Sequence, residues 1–410
     1  GSDPFVERRH FARRQSAGRD GGTRPHPCYI PENEFRKLRT MIRMYRRVAG
    51  VGLALTMLVA GCGHSSSTSQ GPATSSTPVP SVATSSTRAA SATSQAARDL
   101  PDPHTLRGLT EVPELPDPKP VEGSSAQKLP VTVTDVEGNK VTIKSTSRIL
   151  ALDLYGTLSR TLIGLGLGDK IVGRTVSSTE KQLHDRPVVT ENGHVLNVEA
   201  VAGLKPSVII ADRSVGPKEA LDQLRKSGIP VVLVDPHRSV GSTPQLIRTI
   251  ADAVGKPDAG EALVKRTQEQ IDQAKKQIAA WKPAKPMRVA FLYVRGNAGV
   301  FFILGSENGA SELIQGVGAD DVASDKGITT LVPANAESLV SINPDAIFVM
   351  RDGLASTGGM KGLLARAGVA NTTAGRKQRV ISIPDGISLS FGPQTGEVLT
   401  AVAKALYGVK

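Results

Sequence analysis

The stretch Pro257–Trp281, PDAGEALVKRTQEQIDQAKKQIAAW, decides the architecture. It has no breaker after Gly260, and Ala262, Ile271, Ala274 and Ile278 fall on or near one helical stripe, so it predicts a single uninterrupted helix. At 1.5 Å per residue that helix is about 35 Å long, enough to cross a small domain. The sequence on either side follows one pattern. Upstream, Val131, Val133, Val141 and Ile143 alternate with polar residues around the turn Glu137-Gly138-Asn139, a hairpin leading into a strand. Residues 158–167 are helical in pattern, 170–172 form a short apolar run, and the β-branched runs 207–211 (SVIIA) and 229–235 (IPVVLVD) are separated by helical stretches. Downstream, residues 287–294 (MRVAFLYV), 300–304 (VFFIL), 346–350 (AIFVM) and 380–383 (VISI) restart the alternation, and 397–407 close the chain as a helix. Strands alternating with helices build parallel βα units. The predicted fold is α/β: two βα-sandwich lobes, residues 129–255 and 284–410, joined by one long helix over 256–283, with a ligand cleft between them.

The 410 residues carry a formal net charge of +12, but residues 1–61 hold 12 Lys/Arg against 5 Asp/Glu and account for +7 of it. The remainder gives little support to nucleic-acid binding. Part of this excess, Arg43, Arg46 and Arg47, belongs to MIRMYRRVAGVGLALTMLVAGC, in which basic residues precede an apolar run from Val48 to Ala60. That run is too short to span a bilayer comfortably and ends in small residues, the pattern of a secretion signal over residues 41–61. Its end, Val59-Ala60-Gly61-Cys62, resembles a lipobox, in which the cysteine takes a diacylglyceryl thioether and becomes the mature N-terminus. The expectation is a chain held by its lipid to the extracytoplasmic face of the cell membrane. Residues 1–40 contain no Met and read as an upstream extension or a segment added for expression. Residues 62–128 read as lipidated Cys62 and a disordered Ser/Thr/Pro-rich tether, because they cannot bury enough apolar area to offset ordering. With Cys28 upstream of the signal and Cys62 lipidated, no thiol remains for a disulfide or a cysteine-based site.

No constellation for an enzyme stands in the sequence. Gly164-Leu165-Gly166-Leu167-Gly168 closes a helix instead of opening one after a strand, so it reads as a glycine C-cap and not as a dinucleotide loop. There is no Gly-x-Ser-x-Gly elbow, Walker loop or His-Glu-x-x-His, and Asp320-Asp321 reads as a solvated loop pair. Two other stretches stand out. In TENGHVLNVEA, Thr190 to Ala200, Asn192-Gly193 permits a turn and Asn197 can cap a helix over 198–204, which places His194 on a short, pinned loop. In open α/β sheets such loops face the ligand crevice when they lie beyond the carboxyl ends of strands. In Tyr293-Val294-Arg295-Gly296, at the end of the first strand of the second lobe, Tyr293 and Arg295 point the same way. A fixed positive charge beside a phenol favours phenolate, and Tyr is among the side chains that hold haem iron. Met350 closes a strand of the same lobe, where it is either core or an accessory thioether at the crevice. Only one of Phe301 and Phe302 can face a given side, since neighbours on a strand point to opposite sides.

The signal and lipobox, the hairpin, the two βα lobes and the long helix together resemble the helical-hinge substrate-binding proteins of ABC importers for siderophores, cobalamin and haem. Within that group, NGHVLNVEAV, YVRG and the ending FGPQTGEVLTAVAKALYG resemble the haem-binding lipoproteins of the HmuT type, over roughly residues 129–410. The resemblance implies capture of ferric haem b between the lobes, with His194 and Tyr293 as axial ligands and Arg295 bonded to the tyrosine. It implies delivery to an ABC permease and its ATPase, with upstream haem receptors as donors. It further implies that Glu199 and Glu337 dock onto arginines of the permease, one from each lobe. Each begins the repeated pattern Glu-x6-Pro-(Ser/Asp)-x-Ile, which supports internal duplication; for either alone, favourable interaction with a helix N-terminus is sufficient reason. The alternative within the fold is a ferric siderophore or cobalamin receptor, for which an aromatic content of 3% and a single tryptophan, Trp281, furnish a poor pocket. A zinc or manganese receptor has only His184, His194 and His237 in the lobes to draw on.

Overall fold

A computed structural model describes residues 100–122, 126–297 and 299–410. Cys62, the signal and the first part of the tether lie outside the described residues.

The first described segment corrects the tether expectation. After a 3-10 turn at Pro103–Thr105, strand β1 (Leu109–Glu111) pairs in parallel with Val380–Ile383 near the other end of the chain. The residues that follow stay bound to the body of the protein. Glu114 pairs with Arg351, the Pro116 carbonyl accepts from Gln394 at 2.8 Å, and Asp117 accepts from the Lys181 and Gln182 amides at 2.8 and 2.9 Å. Arg266 donates to the Lys119 and Pro120 carbonyls, and the Val121 amide to that of Gly164. Residues 109–121 are therefore a strap across both lobes. Composition suggests disorder because the segment has few apolar side chains; it is held instead by hydrogen bonds to partners distant in sequence, which composition does not report.

The N-terminal lobe opens with the predicted hairpin, β2 (Val131–Thr134) against β3 (Lys140–Ile143), Val131 opposite Ile143 and Val133 opposite Val141. Strands β4 (Ile149–Leu152) and β5 (Ile171–Gly173), a small hairpin of β6 (Thr190–Glu191) and β7 (Val195–Leu196), and strands β8 (Val208–Ala211) and β9 (Val231–Leu233) follow. The sheet is parallel in the order β5-β4-β8-β9. Every residue of β4, β8 and β9 is buried, and separate apolar clusters cover the two faces. Continuous apolar runs such as VIIA are what a sheet buried on both faces requires.

The C-terminal lobe repeats the plan with β10 (Arg288–Arg295), β11 (Val300–Ile303), β12 (Asp320–Asp321), β13 (Val332–Pro333), β14 (Ala346–Met350) and β15 (Val380–Ile383). The order is β1-β15-β14-β10-β11-β13, with β12 also on β10. Asp320 and Asp321 are thus a short strand and not a solvated loop. Asp321 is buried and accepts from the Ser311 hydroxyl and, at 3.0 Å, the Ala323 amide.

The long helix spans Pro257–Trp281 as predicted, although Ala262 is exposed and the buried stripe is Leu263, Val264, Thr267, Ile271, Ala274 and Ile278. Ala259, Leu263 and Val264 belong to the N-terminal core, and Ala274 and Ile278 to the C-terminal core. One helix is therefore common to both lobes. Two glycines allow its neighbours to approach: a Cβ at Gly260 would lie 2.5 Å from that of Ala251, and one at Gly396 would lie 2.5 Å from the Gln270 backbone.

Candidate functional site

The carboxyl ends of the parallel strands of the two sheets meet at a cleft of about 250 Å³. From the N-terminal lobe, Leu154, Tyr155, Ser214 and Pro236 line it, each just past the end of β4, β8 or β9. Opposite them stand Tyr293 near the end of β10, Met350 closing β14 and Asp385 two residues past β15. This is where open α/β sheets place ligands. A larger open groove of about 790 Å³, between β1 and the long and C-terminal helices, contains none of the predicted site residues.

The C-terminal wall is the more elaborate. Tyr293 and Arg295 are 6% and 7% exposed, and the guanidinium carbon lies 5.3 Å from the Tyr293 ring centroid. Strand alternation puts both on one side, as expected. Arg295 Nη2 donates to Asp385 Oδ2 at 2.5 Å and approaches the Met350 sulfur at 3.4 Å. The other Asp385 oxygen accepts from the Asp352 amide at 2.8 Å. Gly353 leaves space for this arrangement, since a Cβ there would come within 2.9 Å of Arg295 Nη1. Arg366 fixes the turn beyond β10 by donating to the Gly296 carbonyl while lying 5.3 Å over the Phe301 ring. Phe301 and Phe302 are both buried, on opposite faces of the sheet, and neither lines the cleft.

On the N-terminal side His194 occupies the β6–β7 turn, where Asn192 and Gly193 take φ of 49° and 89°. Two successive positive φ values are what a tight hairpin turn of the primed type demands. Asn197 caps the next helix by accepting from the Ala200 amide at 2.9 Å, and the Gly216 amide donates to the His194 carbonyl at 3.0 Å. The loop is pinned as expected, but the His194 side chain is buried and is not part of the cavity wall. His184 and His237 are exposed, and among the described residues no three His, Cys, Asp or Glu gather to hold a metal ion. Glu199 and Glu337 are exposed on the first turns of their helices.

Sequence reasoning missed Tyr155, Asp385 and a buried ion cluster beneath the N-terminal wall. Asp153 and Asp212 are fully buried and share the Arg238 guanidinium. Burial pushes both carboxyls up against the pull of Arg238, Asp212 to about 6. Burial, with Asp212 adding to it, pushes the Tyr155 phenol up to about 12. Two tyrosines thus line one cleft, each with a guanidinium over its ring, Arg238 at 5.5 Å from Tyr155 and Arg295 at 5.3 Å from Tyr293, while Asp212 and Asp153 add negative charge beside Tyr155. The available signal was positional: Asp153 and Asp212 directly follow the runs ILAL and VIIA, and Asp385 follows VISI by two residues.

Residues 154–386 match the model of a periplasmic binding protein family. The crystal structure of the heme binding protein HmuT is 49% identical, with a TM-score of 0.74, over 76% of this chain and 100% of that one. Variants of that protein with a histidine, a tyrosine or an arginine altered have also been solved, the tyrosine 99 positions after the histidine and the arginine two further on. His194, Tyr293 and Arg295 have the same spacing. An uncharacterized ABC transporter substrate-binding lipoprotein of Bacillus subtilis (strain 168), YvrC, is 27% identical over 280 residues, 68% of this chain and 86% of that protein. A cobalamin-binding protein of Halobacterium salinarum is 24% identical over 299 residues, 71% of this chain and 78% of that protein.

Proposed function

We propose that this chain, which belongs to the periplasmic binding protein family and within it to the HmuT-type haem-binding proteins, captures ferric haem between its lobes and delivers it to an ABC permease and its ATPase. The observation that carries this reading is the agreement of His194, Tyr293 and Arg295, in kind and spacing, with the three positions altered in a protein 49% identical to this one. The chain works by binding and release, and no catalytic step is assigned to it.

Tyr293 on the cleft wall offers its oxygen to the ferric iron, and the neighbouring guanidinium lowers the cost of the phenolate that ferric iron prefers. His194 supplies the second axial ligand through Nε2, which brings its side chain from its buried place into the cleft. A volume of about 250 Å³ is below the range of roughly 300–1,000 Å³ usual for small-molecule sites, so the cargo widens the cleft on entry. Leu304, Leu331 and Leu389 offer apolar surface to the macrocycle, and Met350 a thioether. Release follows when the permease, engaging Glu199 and Glu337, separates the lobes and breaks one axial bond. Lipidated Cys62 holds the chain at the extracytoplasmic face of the membrane, where upstream haem receptors supply the cargo.

The deciding experiment is an absorption titration with ferric haem of residues 100–410, which include the strap, beside His194→Ala and Tyr293→Ala. A saturable Soret band at one haem per chain that shifts or weakens in both variants is expected. The cobalamin-binding relative keeps a second reading in view, a siderophore or cobalamin receptor. No saturable band with haem, and saturable binding of cobalamin, would establish it instead.

A further inference from the structure

Three strand ends converge on the Asp385 carboxylate. Arg295 at the end of β10 donates to one of its oxygens at 2.5 Å, and the Asp352 amide, two residues past β14, donates to the other at 2.8 Å. Asp385 itself follows β15 and opens the short helix Asp385–Ser388. Both charged side chains are nearly out of water, Arg295 at 7% and Asp385 at 10% exposure. We propose that Asp385 is a positioning residue: it holds the Arg295 guanidinium against the Tyr293 ring and so sets the strength of Tyr293 as a ligand for the ferric iron of the cargo. This rests on the haem reading above.

Arg295 has a long side chain that loses rotamer freedom when fixed, and a charge so deeply buried needs a compensating one. The Met350 sulfur at 3.4 Å is a weak acceptor and carries no charge. Asp385 supplies both charge and direction, because its second oxygen is tied to a backbone amide and the carboxylate cannot follow the guanidinium if it swings. Gly353 completes the socket, since any side chain there would press on Arg295 Nη1. Without Asp385 the guanidinium loses its hydrogen-bonded counter-charge, and turning towards water takes it away from Tyr293. The arginine's effect on the tyrosine is therefore conditional on a residue 90 positions further along the chain.

The test uses the purified chain with ferric haem as probe, and reads two quantities: the phenolate-to-iron charge-transfer band of the complex and the rate of haem transfer to excess apomyoglobin. Asp385→Ala is expected to shift the band and raise the transfer rate about tenfold or more, as loss of a charged hydrogen bond predicts. Asp385→Glu is expected to restore the band. In an Arg295→Ala background, Asp385→Ala is expected to change neither quantity, because the residue acts through the arginine. Should Asp385→Ala fail to fold, the isosteric Asp385→Asn carries the same comparison. A parent-like band and rate in Asp385→Ala or Asp385→Asn overturns the proposal, as does an undiminished effect in the Arg295→Ala background. These results leave the haem reading standing, whereas a parent chain with no saturable Soret band overturns both.

Discussion

Glu199 and Glu337 stand 138 residues apart and at the same place in their lobes. Each is the second residue of a short helix, Val198–Gly203 or Ala336–Ile342, whose asparagine cap accepts from the amide three residues on. Each helix leads to a residue of positive φ before a proline, Lys205 at 47° and Asn343 at 36°, and then to a strand inside its sheet, β8 or β14. The two exposed carboxylates are therefore held by one local structure built twice.

Replacing both by alanine should leave the haem titration unchanged and stability within about 0.5 kcal/mol, since both side chains are exposed. Growth on haem as sole iron source should fail. Full growth of the double variant would remove the docking role from these residues.

The strap gives the lobes a second link besides the long helix. Asp117→Ala removes three hydrogen bonds to Lys181 and Gln182, at 2.8, 2.9 and 3.2 Å. Hydrogen exchange at the Lys181 and Gln182 amides should accelerate, with a stability loss of about 1–2 kcal/mol. Unchanged protection would show that the strap is not held there.

With a helix shared by two cores and a strap across them, lobe motion should be small. Ligand-free and haem-loaded crystal structures should differ by a slight widening of the cleft. A large domain rotation between them would contradict this account.

Gly396 lets the C-terminal helix touch the long helix. Gly396→Ala would place a Cβ 2.5 Å from the Gln270 backbone, where no flexible side chain can give way. Overpacking of this kind costs about 1–3 kcal/mol. Denaturant unfolding should show that loss, and wild-type stability would mean that the helices slide apart freely.

Asp212 makes stability depend on pH. Its folded-state value of about 6 lies above the ordinary 3.8, so the native state binds the proton more tightly than the unfolded chain. The stabilisation is full at acid pH, below the ordinary value, and is lost as pH rises through about 6. Thermal unfolding followed from pH 4 to 7 should show that decline, and Asp212→Asn should flatten it. A slope unaltered by the substitution would assign the pH dependence elsewhere.

The pinned turn at Asn192-Gly193, the Asn197 cap and the strand end at Tyr293 and Arg295 were all legible, because turn, cap and strand alternation are set by residues a few positions apart. Asp385 was not: its partner lies 90 residues away, and nothing local marks one strand-end carboxylate as the counter-charge of another strand's arginine. The strap escaped for the same reason, as its hydrogen bonds go to Lys181, Gln394 and Arg266. Asp320-Asp321 misled in the opposite sense, since two adjacent carboxylates read as solvated until Ser311 and the edge of β10 are placed beside them.

By itself the sequence determined the two βα lobes, the helix over Pro257–Trp281 and the candidate residues His194, Tyr293, Arg295, Glu199 and Glu337, through hydrophobic period, turn chemistry and recurring motif. Tertiary structure alone decided that Tyr293, Met350 and Asp385 share a cleft wall while His194 is buried and does not line the cleft, and that Arg295 is paired with a carboxylate. Period and propensity act over a few residues along the chain, whereas charge pairing and desolvation depend on distances through space that only the packed sheets establish.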